Sequence, residues 1–501
     1  MRRIVLFSLF LLLQIAAMAQ ITPPGVYVQE ISTLPPSVAE VQTAIPAFIG
    51  YTAKADNKLP GDLLFVAKKI NSFSDFEKYY GAGNTLSVSK IVVDNTGKVM
   101  SAEATRGQYL LYESIKLYFN NGGGNCYIIS TGNYTRAVQK ADFLKGLDIA
   151  QKADEITLLV FPDAVNLSGN DLYAVQQKAL KQAGDLMDRF CILDTKFAEN
   201  RNQHNTVADE FRNNIGNSNL KYGAAYTPFL KTTIFQSFAY RQWKDVLWRI
   251  DAKINLNQLT TDPVILQKLS ALEAAIASND GTEQQKENEL LTLFPAMKAM
   301  ADKLKQATLV LPPSAAVAGV YCSVDRNRGV WKAPANVNIN SINGIAYAID
   351  NNEQESLNVD ATAGKSINAI RPFTGKGILI WGSRTLAGND NEWRYISVRR
   401  FFNMVEESVK KATQPFVFEP NDANTWTRIR SMIENYLTLK WRDGALMGAK
   451  PGDAFFVQIG LGQTMTAQDI LEGRMNVEVG MAALRPAEFI ILKFSMKMQG
   501  N

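Results

Sequence analysis

The stretch LPPSAAVAGVYCSVDRNRGVWKAPAN, residues 311–336, is the most informative part of the chain. It opens on a rigid Pro-Pro pair, continues through small residues that predict a turn, and ends in a loop-like sequence with Arg326, Arg328 and Trp331. Arg and Trp side chains anchor protein interfaces, because they combine planar hydrogen bonding with a large buried area. The stretch has no nucleophile–base pair, no metal-ligand spacing and no phosphate-binding loop. We therefore predict an interface here, with no catalytic, cofactor-binding or metal-binding residue.

The composition is that of a folded globular protein of several domains. The chain has 501 residues, of which 46% are hydrophobic and 20% are charged, and a chain of this length is too long for one ordinary core. The formal net charge is only +5, and no basic residues are clustered in the way that a nucleic-acid surface requires. We therefore expect no nucleic-acid partner.

Cysteine and histidine usage argues against a metal or disulfide framework. Cys126, Cys191 and Cys322 are far apart and odd in number, so we predict buried free thiols. The only histidine, His204, lies in a polar sequence, and we interpret it as a solvated loop residue. A chain with one histidine has few options for acid–base chemistry near neutral pH, and we expect no cofactor.

Residues 1–19 have the three parts of a secretory signal peptide. A basic start precedes an apolar core over residues 4–16, and the Ala-Met-Ala site at 17–19 predicts cleavage before Gln20. The apolar run is too short for an ordinary membrane span, so no stable span is expected. A second interpretation is that Met18 is the true start, and both remain open at this point.

The region 45–230 has the alternating order of an α/β body. Short buried-strand runs at 125–130, 155–161 and 190–194 are separated by helical patterns, including one at 171–190. This order predicts a central sheet flanked by helices.

The region 231–310 has a helical character instead. Apolar residues recur every three or four positions over 265–276 and again over 290–300, with a polar turn at 278–281 between them. We predict a helical hairpin and interpret this region as an insertion on the surface of the body.

The region 311–480 predicts a C-terminal α+β domain. The run 377–381 reads as a strand, and two helices with wide apolar stripes follow over 398–409 and 426–441. The overall fold class is therefore mixed α+β, with several domains.

Both termini carry isolated strands that we predict to be extended arms, over residues 20–44 and 481–501. The first strand lies between two Pro-Pro pairs and lacks a local hairpin partner, so it pairs with a remote segment, with another molecule, or as an edge strand of its own domain. The second alternates apolar and polar residues, which indicates one buried face. The residues that we expect to carry the arms are Val26, Tyr27, Val28, Ile31, Ile490, Leu492, Phe494 and Met496.

Several stretches resemble the contractile tail sheath family, which includes phage tail sheaths, type VI secretion sheaths and sheaths of extracellular contractile injection systems. Besides LPPSAAVAG at 311–319, they are PPGVYVQEI at 23–31, IPAFIGYT at 45–52, NGGGNCYIIS at 121–130, INAIRPFTGKGILIWGSRTLAG at 367–388 and WRYISVRRFFNMVEESVKKATQPFVFEPN at 393–421. The chain departs from the family pattern at Cys322 and Ser323, where the family usually has Ala-Arg, and in its signal-like N-terminus.

The resemblance implies a structural subunit that polymerises with itself in stacked hexameric rings around an inner tube and contracts to drive the tube through a target envelope. It also implies baseplate and terminator proteins as partners, and cytoplasmic assembly into a phage-tail-like particle. In such sheaths the terminal strands of neighbouring subunits add to the sheet of a third, which is β-augmentation.

Two alternatives are weighed against this reading. The signal-like segment favours an exported binding or adhesion protein that carries a sheath-like fold. An α/β enzyme is disfavoured, because the chain has no G-x-S-x-G, H-E-x-x-H or P-loop motif.

Overall fold

The computed structural model describes residues 38–488, except residues 85, 106, 236–237, 307–308 and 361. The predicted signal peptide and all eight predicted arm residues lie outside this part of the chain.

The elements are numbered in chain order within the described residues. The strands are β1 Pro46–Gly50, β2 Lys68–Ile70, β3 Val88–Val93, β4 Val99–Ala104, β5 Cys126–Ser130, β6 Leu158–Val160, β7 Phe190–Asp194, β8 Gly223–Thr227, β9 Leu230–Thr232, β10 Leu247–Arg249, β11 Ala252–Lys253, β12 Val310–Leu311, β13 Val337–Asn338, β14 Ile342–Ile345, β15 Ile367–Phe373, β16 Gly377–Ile380, β17 Phe455–Gln458 and β18 Glu478–Met481. The helices are α1 Phe73–Tyr80, α2 Leu111–Asn120, α3 Lys140–Ala150, α4 Asp171–Leu186, α5 Arg201–Asn214, α6 Tyr240–Trp243, α7 Pro263–Ser278, α8 Glu283–Leu293, α9 Pro295–Lys305, α10 Ser314–Arg328, α11 Asn351–Asn358, α12 Ile396–Thr413, α13 Ala423–Arg442, α14 Pro451–Ala454 and α15 Ala467–Leu471.

A nine-stranded sheet of order β13-β16-β15-β8-β7-β6-β1-β5-β2 is the centre of the molecule. Its middle strands, from β15 through β5, are parallel, and the outer strands β13, β16 and β2 pair antiparallel. Parallel strands need helices on both faces, which is why they read as continuous apolar runs. The predicted central sheet flanked by helices is confirmed. The sheet also continues past the predicted boundary at residue 311, since β13, β15 and β16 belong to it.

Strand β1 shows how one segment serves two cores. All five of its residues are buried, and successive side chains point to opposite faces. Phe48 joins the core that includes helices α2 and α10, whereas Ala47 and Ile49 join the core that includes α3, α4 and α5. The three buried cysteines are free thiols, as predicted.

The turn and loop that we predicted after the Pro-Pro pair are wrong, because residues 314–328 form the buried helix α10. The small residues serve close packing instead. At Gly319 a Cβ atom would lie 2.5 Å from the backbone oxygen of Tyr118 in helix α2. A helix buried on nearly all sides shows no amphipathic period, so residues 314–328 carry no helical pattern.

We expect Gly319→Ala to lower the free energy of unfolding by about 1–3 kcal/mol, because the added methyl group overpacks the contact between helices α10 and α2. Urea unfolding followed by circular dichroism measures the change. The matched control is Gly452→Ala, in helix α14, where a Cβ atom would meet nothing within 4 Å. Equal effects of the two substitutions would contradict the close-packing role of Gly319.

The interpretation of His204 as a solvated loop residue is also wrong. Asn200 caps helix α5 by accepting a hydrogen bond from the backbone N–H of Gln203, and His204 lies on the buried face of that helix with 2% exposure. Its Nε2 is 3.2 Å from the hydroxyl of Thr227, and its ring is 5.0 Å from that of Tyr347. Burial lowers the pKa of His204.

The region 231–310 contains the predicted helical hairpin, α7 and α8, together with the short helix α6 and the helix α9. The apolar stripe over residues 290–300 is split because Pro295 begins helix α9, where its missing N–H costs no hydrogen bond. The region also holds strand β10, which pairs parallel with β3 and with it belongs to a four-stranded sheet.

A carboxyl group holds the N-terminus of helix α10. Asp194, at the end of β7, accepts hydrogen bonds from the backbone N–H of Ser314 at 2.8 Å and from its hydroxyl at 2.5 Å. Burial raises the pKa of Asp194 to about 7, although both hydrogen bonds favour the carboxylate.

This raised pKa predicts a pH-dependent stability. The folded-state pKa lies above the ordinary value, so the stabilisation is fully present at low pH and is lost as the pH rises through about 7. Wild-type protein should lose unfolding free energy between about pH 5 and about pH 8 in part because Asp194 ionises. Asparagine does not ionise, so we expect this loss to be smaller in Asp194→Asn. Urea unfolding at both pH values tests this, with the exposed Asp185→Asn as control, and an unchanged pH difference in Asp194→Asn would contradict it.

The C-terminal unit, residues 396–484, has its own core. The long helices α12 and α13 fall where the sequence predicts them, and the side chain of Asp422 caps α13 by accepting from the N–H of Thr425. Their apolar faces pack together and against strands β17 and β18.

Candidate assembly interface

The last residues of the predicted N-terminal arm (20–44), from Val38 onward, do not extend freely but are fixed to the molecule. We call residues 38–45 the N-terminal lead. Val38 is buried in the core of the C-terminal unit, and Glu40 forms an ion pair with Lys440 at 2.8 Å. The backbone N–H of Val41 donates to the hydroxyl of Ser408 at 3.0 Å. The point at which the arm leaves the fold is therefore held by helices α12 and α13.

A buried ion pair ties this lead to both units. Arg400 of helix α12 donates two hydrogen bonds to Asp325 of helix α10, at 3.0 and 2.5 Å. The side chains of Arg400 and Asp325 are 3% and 7% exposed. Thr43 completes the group, because its hydroxyl donates to Asp325 at 2.6 Å and its carbonyl accepts from Arg400 at 3.0 Å. We call these three residues the Arg400 junction.

A second ion pair holds the other end of the described chain. Glu488 accepts two hydrogen bonds from Arg384, at 2.8 and 2.5 Å, and the hydroxyl of Tyr395 lies 3.3 Å from the same carboxylate. Arg384 is 4% exposed, and its backbone N–H donates to the side chain of Asn368 in strand β15. The last described residue is therefore held beside strand β15 of the central sheet.

The two-stranded sheet β17–β18 has free edges. Within the described residues, no further strand joins β17 and β18, and a two-stranded sheet is marginally stable alone. One face carries Phe455 and Val457 toward helix α13. On the other face, the half-exposed ring of Phe456 covers Gly480, where a Cβ atom would lie 2.1 Å from the ring.

Exposed apolar side chains are numerous on the C-terminal unit. Phe418 is fully exposed and has a φ of 74°, a value that is rare for a bulky residue and marks backbone strain. The large hydrophobic residues exposed in this unit are Val417, Phe418, Leu439, Met447, Phe456, Leu461, Leu471 and Val477.

The three predicted interface residues line one cleft of about 290 Å³. Arg326 and Arg328 end helix α10 and are exposed, and a guanidinium N–H of Arg326 donates to the carbonyl of Gly122. Trp331 is half-buried, with its ring 6.3 Å from that of Phe401. Its indole N–H has no hydrogen-bond acceptor within the described residues. Their role as an interface stays a prediction.

Sequence reasoning missed the residues that fix the two arms. Arg384 and Arg400 lie in stretches that carry the family resemblance, but their partners are distant in sequence. An arginine at a position where the strand or helix pattern predicts burial is unusual, because arginine is almost never buried without a partner. That pattern could have pointed to both residues.

Within the described part of the chain, no group of His, Cys, Asp and Glu side chains could hold a metal ion. No described helix has the length and hydropathy needed to cross a bilayer.

The fold defines a mixed α/β protein built around a nine-stranded sheet, and the comparisons identify its family. The phage tail sheath C-terminal domain family matches residues 388–497. The chain is 29% identical to the tail sheath protein of Vibrio phage KVP40 and 28% identical to that of Enterobacteria phage T4, each over 28% of this chain. These alignments span 21% of each phage protein, about a fifth of its length.

Solved structures match almost the whole chain. A chain of the anti-feeding prophage baseplate is 30% identical, with a TM-score of 0.62 over 95% of this chain and 99% of that one. A chain of the PVC sheath complex in the contracted state, from an extracellular contractile injection system, is 29% identical, with a TM-score of 0.61 over 96% and 99%. The anti-feeding prophage helical sheath in the contracted state gives 28% identity and a TM-score of 0.60. The chain belongs to the contractile tail sheath family.

The Arg400 junction predicts a large effect of a single substitution. Asp325→Ala leaves the buried Arg400 guanidinium without its carboxylate, and we expect a loss of about 3–5 kcal/mol in the free energy of unfolding. The control is Glu289→Ala, which breaks an exposed ion pair with Lys268 and should cost about 1 kcal/mol or less. Urea unfolding compares the two variants, and similar losses would contradict the importance of the junction.

Proposed function

We propose that this protein is the structural subunit of a contractile sheath that polymerises around an inner tube and contracts to drive it through a target envelope. The observation that carries the proposal is the similarity of almost the entire chain to chains of contracted sheath assemblies. Stacked hexameric rings, and binding to a baseplate, a terminator and the inner tube, are parts of this proposal. Assembly in the cytoplasm is a further part of it.

The joints between subunits are formed by the terminal arms. Within the described residues the sheet β17–β18 offers unpaired backbone groups at its edges. The N-terminal arm supplies a strand rich in β-branched and aromatic residues, and the C-terminal arm supplies one that alternates apolar and polar residues. An added strand gains main-chain hydrogen bonds as well as burial of alternate side chains. Residues 23–31 and 489–498 of neighbouring copies are therefore the proposed occupants of these edges.

Contraction then requires the bodies to move while the joints stay paired. The driving force comes from better burial and charge pairing between bodies in the contracted state, with the extended state held metastable by the baseplate. Two packings of one sequence differ by on the order of a few kcal/mol, and a sheath of many subunits sums such differences without any nucleotide.

The alternative of an exported binding or adhesion protein has no support in these similarities. The signal-like segment at residues 1–19, or a true start at Met18, stays a prediction.

Deletion of residues 20–32 should abolish long sheaths and leave a folded monomer, because it removes one strand from every joint. Negative-stain electron microscopy measures tubule formation, and circular dichroism measures folding. A finer variant is Val28→Pro, which removes one backbone donor, and its matched control is Val28→Thr, which keeps the N–H and the β-branched side chain. Intact tubules from the deletion variant would contradict the strand-exchange proposal.

A further inference from the structure

Two cavities flank Thr43 of the N-terminal lead, and they differ in how their charges are paired. Every charged side chain that lines the first, of about 260 Å³, has an ion-pair partner, as Lys69 has in Glu155 and Lys411 has in Asp154. A cavity that neutralises its own charges gives no reason to expect a charged ligand.

The second cavity is the cleft of about 290 Å³ at the end of helix α10, and its charges are not balanced. Its two carboxylates are already matched, since Glu40 pairs with Lys440 and Asp325 belongs to the Arg400 junction. Its two guanidinium groups, those of Arg326 and Arg328, pair with no carboxylate within the described residues. The cleft therefore carries two positive charges that this part of the chain does not neutralise.

The guanidinium of Arg326 is held in position without a partner. One of its N–H groups donates to the carbonyl of Gly122 at 2.8 Å, and Gly122 has a φ of 92°, in the region that favours glycine. A Cβ atom at Gly122 would lie 3.0 Å from that of Ser323 in helix α10, so the turn and the helix approach closely. A guanidinium that is already fixed loses less entropy when it binds a carboxylate.

The spacing of the two arginines favours an acidic polypeptide segment over a single small anion. Residues two apart on a helix do not share a face, so Arg326 and Arg328 do not converge on one point. A segment with two carboxylates can pair with both groups, and each pair can form parallel hydrogen bonds. The half-buried ring of Trp331 supplies an aromatic wall for the rest of the segment.

We propose that this cleft binds an acidic segment of a second copy of the chain, with Arg326 and Arg328 each pairing with a carboxylate and Trp331 packing against the segment. The choice of a second copy rests on the proposed sheath function. The chain carries a segment of this kind, since Asp390 and Glu392 lie two apart in an exposed loop and form no ion pair within the described residues.

The first test identifies the occupant. Arg328→Lys keeps the charge and adds an amine that a carbodiimide couples to any carboxylate within reach. Equal amounts of ¹⁴N- and ¹⁵N-labelled chains of this variant are co-assembled and coupled, and mass spectrometry distinguishes mixed-isotope links, which join two chains, from links within one chain. The matched control is Arg442→Lys, because Arg442 also ends a helix and is exposed but does not line the cleft.

The second test measures the ligand chemistry on unassembled protein. The chain is labelled with 5-fluorotryptophan, and the ¹⁹F NMR signal of Trp331 is assigned with Trp331→Phe. The probes are the peptide acetyl-Gly-Glu-Gly-Glu-Gly-amide, its counterpart with glutamine in place of glutamate, and inorganic phosphate. Sedimentation gives the critical concentration for tubules of each variant, and thermal unfolding checks its fold.

We expect mixed-isotope links from Arg328→Lys and few from Arg442→Lys. The acidic peptide should shift the Trp331 signal with an affinity at least about tenfold above that of the other two probes, as hydrogen bonds to charged groups predict. The double variant Arg326→Gln/Arg328→Gln should lose this shift and raise the critical concentration about tenfold. Arg442→Gln loses only a charge that favours the helix C-terminus, and it should behave as the wild type in both measurements.

The opposing outcomes separate the cleft from the sheath function. If the wild type forms tubules and the folded double variant matches Arg442→Gln in both measurements, the cleft proposal is wrong and the sheath function stands. Phosphate that binds as tightly as the acidic peptide, or links within one chain only, would also overturn the proposal. If the titration distinguishes the peptides but the wild type forms neither tubules nor mixed-isotope links, the sheath function fails, and the second copy as occupant fails with it.

Discussion

The buried pair between Arg400 and Asp325 is the constraint on which the arrangement of the two units depends. It joins helix α12 of the C-terminal unit to helix α10 under the central sheet, and Thr43 adds the N-terminal lead. Beside it lies a cavity of about 260 Å³, partly lined by Asp154 and Lys411, which form an ion pair at 2.6 Å. Ion pairs therefore stabilise the boundary between the units, and the side chains beside them leave a cavity unfilled. Any orientation that separated Arg400 from Asp325 would leave an unpaired buried charge, so the pair penalises such orientations.

The sequence could predict most of the regular elements, and the reason is physical. Buried parallel strands such as Phe190–Asp194 are continuous apolar runs, and the helices Ile396–Thr413 and Ala423–Arg442 have one apolar face each. Helix α10 was missed because it is buried on nearly all sides, so its small residues resemble those of a turn. His204 was missed because a polar sequence hid a helix that the cap at Asn200 begins.

In the candidate interface, too, the local patterns could be read from the sequence and the long-range contacts could not. Strand patterns are local, so the sequence supports a prediction of the arms, whose eight named residues lie outside the described part of the chain. The contacts that fix the arms are not local: Thr43 and Asp325 are 282 positions apart, and Arg384 and Glu488 are 104 apart. With 53 basic and 48 acidic residues in the chain, no pairing rule selects these partners until the sheet order brings them together. The family resemblance marked the stretches but not their roles.

The N-terminal lead and Glu488 are attached to different parts of the fold, and this difference matters for an assembly whose subunits move. The N-terminal lead is bound at the boundary between the units, whereas Glu488 is bound to the central-sheet side. Tension on the N-terminal arm would be transmitted to the Arg400 junction. Tension on the C-terminal arm would be transmitted to Arg384, which lies outside the C-terminal unit. In the proposed sheath, the acceptor sheet β17–β18 and the C-terminal arm of one chain therefore belong to different units. Rotation of whole bodies about their arms, with the two units of each body held together by the Arg400 junction, would change the spacing between bodies while every strand stays paired, which is what contraction without dissociation requires.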